Sequence, residues 1–144
     1  RGSRPSVIAV VDTNVVLRKL FGEPEPLAEW ASIRSGYVSR VLPVELGRVI
    51  DRCRLAGEIT DTDVAQLHQE ARRLLRSFEI LALSEGVLDR AAGPMPTVLG
   101  SLDAIHLVTA LELARAMASS VTLATHDDQL ARAARASGLD VCGA

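Results

Sequence analysis

The chain has 144 residues, of which 48% are hydrophobic, 24% charged and 3% aromatic. This length suits a single domain, and folding should bury roughly 68–70% of the surface of the unfolded chain. The composition argues against intrinsic disorder, and no apolar run reaches the ~18–20 residues of a membrane span. The formal net charge is -2, so contact with nucleic acid would require arginines gathered in one place.

The cysteines and the chain start bear on compartment and domain limits. Cys53 and Cys142 lie far apart without a C-x-x-C motif, which indicates buried thiols without a disulfide in a reducing compartment. No secretion signal is evident, so the sequence predicts a cytoplasmic protein. Residues 1–6, RGSRPS, have no initiator Met and are interpreted as an expression remnant or a disordered start, which leaves one domain over 7–144.

Five short apolar runs predict strands: VIAVV from Val7, YVSRV from Tyr37, EILAL from Glu79, SVTLAT from Ser120 and LDVC from Leu139. Helical spacing predicts helices over Pro26 to Arg34, Pro43 to Ala56, Asp61 to Ser77, Ser84 to Ala92, Leu102 to Met117 and Asp127 to Ser137. The clearest loops are GEPEP and AAGPMPTVLGS. The alternation of strand and helix predicts an α/β fold, in which helices cover both faces of a central parallel sheet of about five strands.

Acidic residues follow several of the predicted strands. Asp12 comes directly after VIAVV, Glu45 follows the second strand, and Asp127 and Asp128 follow the fourth. Right-handed connections bring these turns to one edge of a parallel sheet, where ligands bind. Each acid taken alone is explained as well by a helix cap or by the helix dipole. A helix and a long loop separate Asp103 from its preceding strand, so spacing alone does not bring it to that edge.

A cluster of carboxylates implies a bound cation. Repulsion among three or four of them would raise their pKa values unless positive charge neutralised them, and oxygen-only ligation suits Mg²⁺ or Mn²⁺. Zinc does not fit, because His68, His106 and His126 show no ligand spacing. His106 lies one turn after Asp103, where a hydrogen bond near the site is one alternative, but the favoured interpretation is a satisfied, partly buried histidine. Dinucleotide, P-loop and serine-hydrolase motifs are absent from the sequence.

Four stretches that carry these acids resemble one family: VVDTNVVL, LPVELGRVI, LDAIHLVTAL and THDDQLARAARASGLDV. In their order and spacing, over nearly the whole chain, the sequence resembles PIN-domain ribonucleases, and among them VapC-type toxins of bacterial toxin–antitoxin pairs. The resemblance implies that Asp12, Glu45, Asp103 and Asp127 bind the metal and carry catalysis. It also implies that Asp103 lies with the other acids, which spacing alone did not establish. The adjacent Asp128 leaves the identity of the fourth acid undecided.

The resemblance further implies hydrolysis of an RNA phosphodiester with Mg²⁺ or Mn²⁺, giving 5′-phosphate and 3′-hydroxyl ends. It implies supporting roles for Asn14 and Thr125 in orienting the acids or water, a VapB-type antitoxin as partner, and a homodimer. From the sequence itself, Arg48 and Arg52 follow Glu45 at i+3 and i+7 on one helix face and are the predicted contacts to RNA phosphate.

Two other functions stay open on the sequence alone. One is a catalytically silent PIN-like module that binds RNA or a protein partner, which only an activity assay separates from a nuclease. The other is a haloacid-dehalogenase-like phosphatase, with the Asp after the first strand as nucleophile. That class needs a second Asp two residues later, where this chain has Asn14. Fold analogy alone supports it.

Overall fold

The structure is a computed structural model that describes residues 7–23 and 27–144. Its strands are β1 (Val7–Val11), β2 (Ile33–Ser39), β3 (Glu79–Leu81), β4 (Thr122–Ala124) and β5 (Asp140–Cys142). Its helices are α1 (Thr13–Leu20), α2 (Leu42–Leu55), α3 (Asp61–Leu75), α4 (Glu85–Ala91), α5 (Ser101–Met117) and α6 (Asp128–Ala136). Residues 1–6, interpreted as a remnant or disordered start, lie outside the described residues.

The five strands form one parallel sheet in the order β3-β2-β1-β4-β5, which confirms the predicted fold class. β1 lies at the centre, with β2 on one side and β4 on the other. Connections from the first half of the chain therefore run toward one edge of the sheet, and those from the second half run toward the other. This reversal opens a crevice beyond the carboxyl ends of β1 and β4, where parallel α/β sheets bind ligands.

Helices cover both faces of the sheet, and successive side chains of β1 therefore point into two different cores. Ala9 and Val11 lie in the core formed with α1, α2 and α3, whereas Val10 lies in the core formed with α5 and α6. All three of these β1 side chains are fully buried, which explains the uninterrupted apolar run in the sequence. The run ends where the sheet ends, and Asp12 is the next residue.

The predicted helix from Pro26 to Arg34 is wrong. Pro26 lies outside the described residues, Trp30–Ser32 forms a single 3-10 turn, and β2 begins at Ile33, four residues before the predicted start at Tyr37. The misleading helical spacing comes from Leu27, Trp30 and Ile33, which all pack on the core beside α1. Pairing of Ile33 with Val7 of β1 decides the extended conformation. Other predicted elements differ by at most two residues at either end.

The structure bears on two expectations from the sequence, one about membrane spans and one about the cysteines. Among the described residues, no helix is both long and apolar enough to cross a membrane. Cys53 and Cys142 are free and half-buried. Burial, together with the negative charge of Glu29, raises the pKa of the Cys142 thiol to about 11, so this thiol is protonated and unreactive near neutral pH.

Candidate active site

Asp12 joins the central strand to the first helix. Its backbone N–H donates to the carbonyl of Ala124 in β4 at 2.9 Å, and its Oδ1 accepts from the backbone N–H of Thr13 at 2.7 Å, so it does cap α1. The cap does not explain the residue fully, because Oδ2 accepts from the Thr125 hydroxyl at 2.8 Å and the side chain is buried. Burial raises the pKa of Asp12, outweighing the opposite effects of His106 and these hydrogen bonds.

Thr125 connects the acids that follow β1 and β4. Its hydroxyl donates to Asp12 Oδ2 and accepts from the backbone N–H of Asp127 at 3.0 Å, and its own N–H donates to the carbonyl of Cys142 in β5. Asp127 in turn caps α6, with Oδ1 accepting from the N–H of Leu130 at 2.9 Å. One buried hydroxyl thus fixes two candidate acids relative to each other.

Asn14 ties the turn after β1 to the turn after β4. Its Oδ1 accepts a hydrogen bond from the backbone N–H of His126 at 3.1 Å. The amide oxygen is therefore engaged in holding the two turns together, next to Asp12 and Asp127. The supporting role of Asn14 at the site stays a prediction.

The two neighbouring candidates for the fourth acid, Asp127 and Asp128, differ in burial. Asp127 is partly buried and close enough to Asp103 to raise the pKa of that carboxyl. Asp128 is exposed as the first residue of α6. The burial of Asp127 and its charge effect on Asp103 favour Asp127 over Asp128 as the fourth acid, and that assignment stays a prediction.

Asp103 reaches the cluster because α5 begins at the sheet edge. It lies in the first turn of α5. Its pKa rises to about 6, first through partial burial and then through the negative charges of Asp12, Asp127 and Glu45, against the opposing effect of His106. Sequence spacing left the location of Asp103 open, and the structure brings it close to the other three acids.

Glu45, in the first turn of α2, is held by two side chains that the sequence analysis did not assign to the site. Its Oε1 accepts from the Thr13 hydroxyl at 2.7 Å and lies 2.8 Å from Nε2 of His106. His106 is fully rather than partly buried, its Nδ1 has no hydrogen-bond partner among the described residues, and its Nε2 contacts candidate site residues, as in the less favoured of the two interpretations. The sequence held one indication that Thr13 belongs to the site, which the sequence analysis did not use: Thr13 carries a hydroxyl and directly follows Asp12.

His106 is fully buried in α5, and its Nε2 faces oxygen atoms only. The distances are 2.8 Å to Glu45 Oε1, 3.1 Å to Thr13 Oγ1 and 3.5 Å to Asp12 Oδ1. Burial works against a charged ring, but the hydrogen bond to Glu45 and the neighbouring carboxylates together raise the pKa of His106. The ring supplies an N–H donor at the centre of the acidic cluster.

A cleft of about 320 Å³ lies against these acids. Asp12, Glu45 and Asp103 line it on the acidic side, and Arg48 and Arg52 line it from α2. The other lining residues are mainly aliphatic, namely Leu17, Val41, Val44, Val49 and Leu102. Arg48 lies 3.2 Å from Asp51, whereas Arg52 makes no salt bridge to any residue that the structure describes. The two predicted phosphate contacts therefore do share the cleft with the acids.

The fit of this site to a metal ion rests on charge and donor type. Within 7–23 and 27–144, no three or more His, Cys, Asp or Glu side chains are arranged so that they could hold a metal ion. The donors at the cleft are carboxylate oxygens, the type that Mg²⁺ and Mn²⁺ prefer. The pKa of Asp103 is raised first by burial and then by the negative charges of the neighbouring acids, which a bound cation would offset. Charge and donor chemistry thus fit a hard divalent cation.

The fold is a parallel α/β domain with acidic residues beyond its central strands. The family model of the PIN domain matches residues 9–136 of this chain. The chain belongs to the PIN domain family, which confirms the resemblance seen in the sequence. Its relatives include "Ribonuclease VapC47" of Mycobacterium tuberculosis, which is 34% identical over 119 residues, covering 78% of this chain and 81% of the relative.

Solved structures share the fold. FitAcB from Neisseria gonorrhoeae superposes with a TM-score of 0.68 at 22% identity, covering 94% of this chain and 96% of the other. A chain of a toxin–antitoxin complex from Klebsiella pneumoniae gives a TM-score of 0.60 at 22% identity, covering 85% of this chain and 89% of the other. These likenesses support the architecture of the whole described chain.

Proposed function

We propose that this protein is a metal-dependent endoribonuclease and the toxin of a toxin–antitoxin pair. The observation that carries the proposal is that Asp12, Glu45 and Asp103 line one cleft. The pKa of Asp103 is raised there by burial and then by the negative charges of the neighbouring acids, Asp127 among them. The relative named as a ribonuclease supports RNA as the substrate. The family resemblance of the sequence implies products with 5′-phosphate and 3′-hydroxyl ends, and these ends are part of the proposal.

In this proposal the four acids hold Mg²⁺ or Mn²⁺. When bound, such an ion stabilises negative charge on the scissile phosphate and lowers the pKa of a water. The chain itself supplies orientation and charge. Thr125 fixes Asp12 and Asp127, and Thr13 and His106 fix Glu45. The pKa of Asp103 is raised to about 6, first by partial burial and then by the charges of its neighbours. Asn14 keeps the two turns of the site together.

The proposal extends to domain, partners and compartment. Residues 7–144 act as one PIN domain, supported by the single sheet and by the family match over 9–136. A VapB-type antitoxin and a second copy of the chain are the proposed protein partners, supported by the toxin–antitoxin complex among the similar structures. The protein acts in the cytoplasm, where its RNA substrates are found.

RNA cleavage by the metal-free protein supplied with Mn²⁺ or Mg²⁺ tests the enzyme directly. We expect discrete fragments of total bacterial RNA that disappear with EDTA, and a loss of at least about 100-fold in rate for Asp12→Asn. Asn retains the acceptor for the Thr13 N–H, so the cap on α1 survives while a carboxylate is lost. Circular dichroism checks that the variant is folded.

The result also separates the two alternatives. A folded, antitoxin-free protein that cuts no RNA with either metal would contradict the nuclease and favour a silent binding module. A phosphatase would release phosphate from a small aryl phosphate, which we do not expect. Asn14 takes the place of that class's second Asp, and its side chain is engaged with the backbone of His126.

Arg52 is the better placed of the two predicted phosphate contacts, because it makes no salt bridge within the described part of the chain. We expect Arg52→Gln, made in a non-cutting Asp103→Asn background, to weaken RNA binding several-fold at low salt. The slope of log affinity against log salt should fall by about 0.7, the value for one single-strand phosphate contact. Fluorescence anisotropy of a labelled RNA across a salt series measures both.

Arg54→Gln is the matched control. Arg54 lies on the same helix, is exposed and pairs with Asp51, but does not line the cleft. Its replacement changes the net charge equally, and RNA binding should stay close to that of the parent. Equal losses for the Arg52 and Arg54 variants would indicate a general charge effect and contradict a phosphate contact at Arg52.

A further inference from the structure

We propose that Thr13 and His106 are positioning residues that hold Glu45 ready to ligate the metal, by occupying one of its carboxylate oxygens and leaving the other open. This inference rests on the proposed function, since it assumes that Glu45 is a ligand. It assigns a role to two buried residues, of which the sequence analysis left Thr13 out of the site and gave His106 a place near it only as the less favoured alternative.

Both donors converge on the same atom. The Thr13 hydroxyl donates to Glu45 Oε1 at 2.7 Å, and His106 Nε2 lies 2.8 Å from that same oxygen. Among the described residues, no hydrogen bond is formed with Oε2. A carboxylate fixed through one oxygen has lost most of its rotational freedom, so its second oxygen can bind a cation with little further ordering.

His106 has no evident purpose other than this contact. The ring is fully buried, and its Nδ1 has no hydrogen-bond partner in the part of the chain that the structure describes, so the side chain leaves a polar atom unsatisfied in the core. An apolar residue such as Leu would fill the same space without that cost. The other polar atom, Nε2, faces only acceptor oxygens, which identifies it as the protonated nitrogen that donates to Glu45.

Thr13 sets the distance between two acids. Its backbone N–H donates to Asp12 Oδ1 and its side-chain hydroxyl donates to Glu45 Oε1, both at 2.7 Å. One buried residue thus connects the end of the central strand with the first turn of α2. If Thr13 lost its hydroxyl, Asp12 would keep its cap while Glu45 would lose a donor.

The positioning role predicts a change in metal affinity, because partners that orient a ligand typically contribute 10–100-fold to metal binding. We would measure Mn²⁺ binding to the full metal-free chain by electron paramagnetic resonance of free Mn²⁺. We expect His106→Leu and Thr13→Val to weaken binding by about 10–100-fold. His106→Gln and Thr13→Ser each retain a donor and should recover most of the loss.

A matched control separates positioning from stability. Thr109 is another buried residue of α5, and its hydroxyl donates to the carbonyl of Ile105 rather than to an acid. Thr109→Val should leave Mn²⁺ affinity unchanged, whatever it does to the unfolding midpoint. If His106→Leu does not fold, the Thr13→Val and Thr13→Ser pair carries the test alone.

Each outcome bears on one proposal or on both. If the wild-type chain binds Mn²⁺ and cuts RNA, and the folded His106→Leu and Thr13→Val variants bind Mn²⁺ as tightly, the positioning role is overturned and the nuclease stands. If the wild-type chain neither binds Mn²⁺ nor cuts RNA, the proposed function fails and the positioning role fails with it. Selective weakening with rescue by Gln and Ser supports both.

Discussion

Asp103→Asn is expected to abolish RNA cleavage and, at the same time, to raise the free energy of unfolding of the metal-free protein by about 1–2 kcal/mol near neutral pH. The pKa of Asp103 rises to about 6 in the folded chain, from an ordinary value of 3.8. Such a rise means that the ionised carboxyl opposes folding. The group is partly exposed, so solvent screening reduces the full effect to the range given.

The pH dependence of this gain has a definite sign. The folded protein binds the proton of Asp103 more tightly than the unfolded chain does. The favourable contribution of Asp103 to the free energy of unfolding is therefore fully present below about pH 4. That contribution is lost as the pH rises through about 6. The stability advantage of Asp103→Asn should therefore vanish at acidic pH and be largest above about pH 6.

Urea unfolding of both proteins at several pH values, in EDTA and in Mn²⁺, measures these differences. Saturating Mn²⁺ should stabilise the wild-type protein more than the variant and reverse their order, because only the native site binds the ion. Asp128→Asn is the control: it removes an exposed acid one residue from Asp127 and should change neither property much. An Asp103→Asn protein that is less stable than wild type in EDTA would assign Asp103 a structural role.

Gly143→Ala should destabilise the protein by about 2–4 kcal/mol and reduce cleavage at least about tenfold in the molecules that remain folded. Gly143 has φ +93°, and an added Cβ would lie 2.6 Å from the carbonyl oxygen of Thr125 and 2.9 Å from Leu27. The backbone of Thr125 would have to move. Since Thr125 holds both Asp12 and Asp127, its displacement would disturb the candidate site.

Gly138→Ala provides a matched control for this substitution. Gly138 has a similar φ of +90°, but an added Cβ there meets no atom within 4 Å. This variant should show only the conformational cost, about 1–2 kcal/mol, with unchanged cleavage. Thermal unfolding and RNA cleavage of the two variants measure the difference. Equal behaviour of both variants would show that the contact with Thr125 has no consequence for the site.

The part of the site that the sequence predicts is the part that strand topology dictates. Asp12, Glu45 and Asp127 each follow a strand or open a helix near one, and parallel strands bring those positions to one edge. The arrangement of the sheet follows from the same alternation. No such rule locates Asp103, because a long segment separates it from β3, and only the resemblance brought it to the site.

Contacts between distant side chains are what the sequence does not predict. Thr13 and His106 meet Glu45 only after α1, α2 and α5 pack, and each has an ordinary structural explanation when taken alone. The start of β2 was missed for a related reason. Leu27, Trp30 and Ile33 have helical spacing, yet they face one core from a 3-10 turn and a strand. Tertiary packing overrode the local pattern.

The proposed acids come from four segments spread from Asp12 to Asp127, and the backbone of Thr125 is bonded to Cys142 in the last strand. During synthesis, a ribosome-bound chain whose final strand is still in the exit tunnel lacks that contact. The backbone of Thr125 therefore gains its partner only once β5 has been made and has paired with β4. Until then, the residue that holds Asp12 and Asp127 relative to each other is not itself held in the sheet.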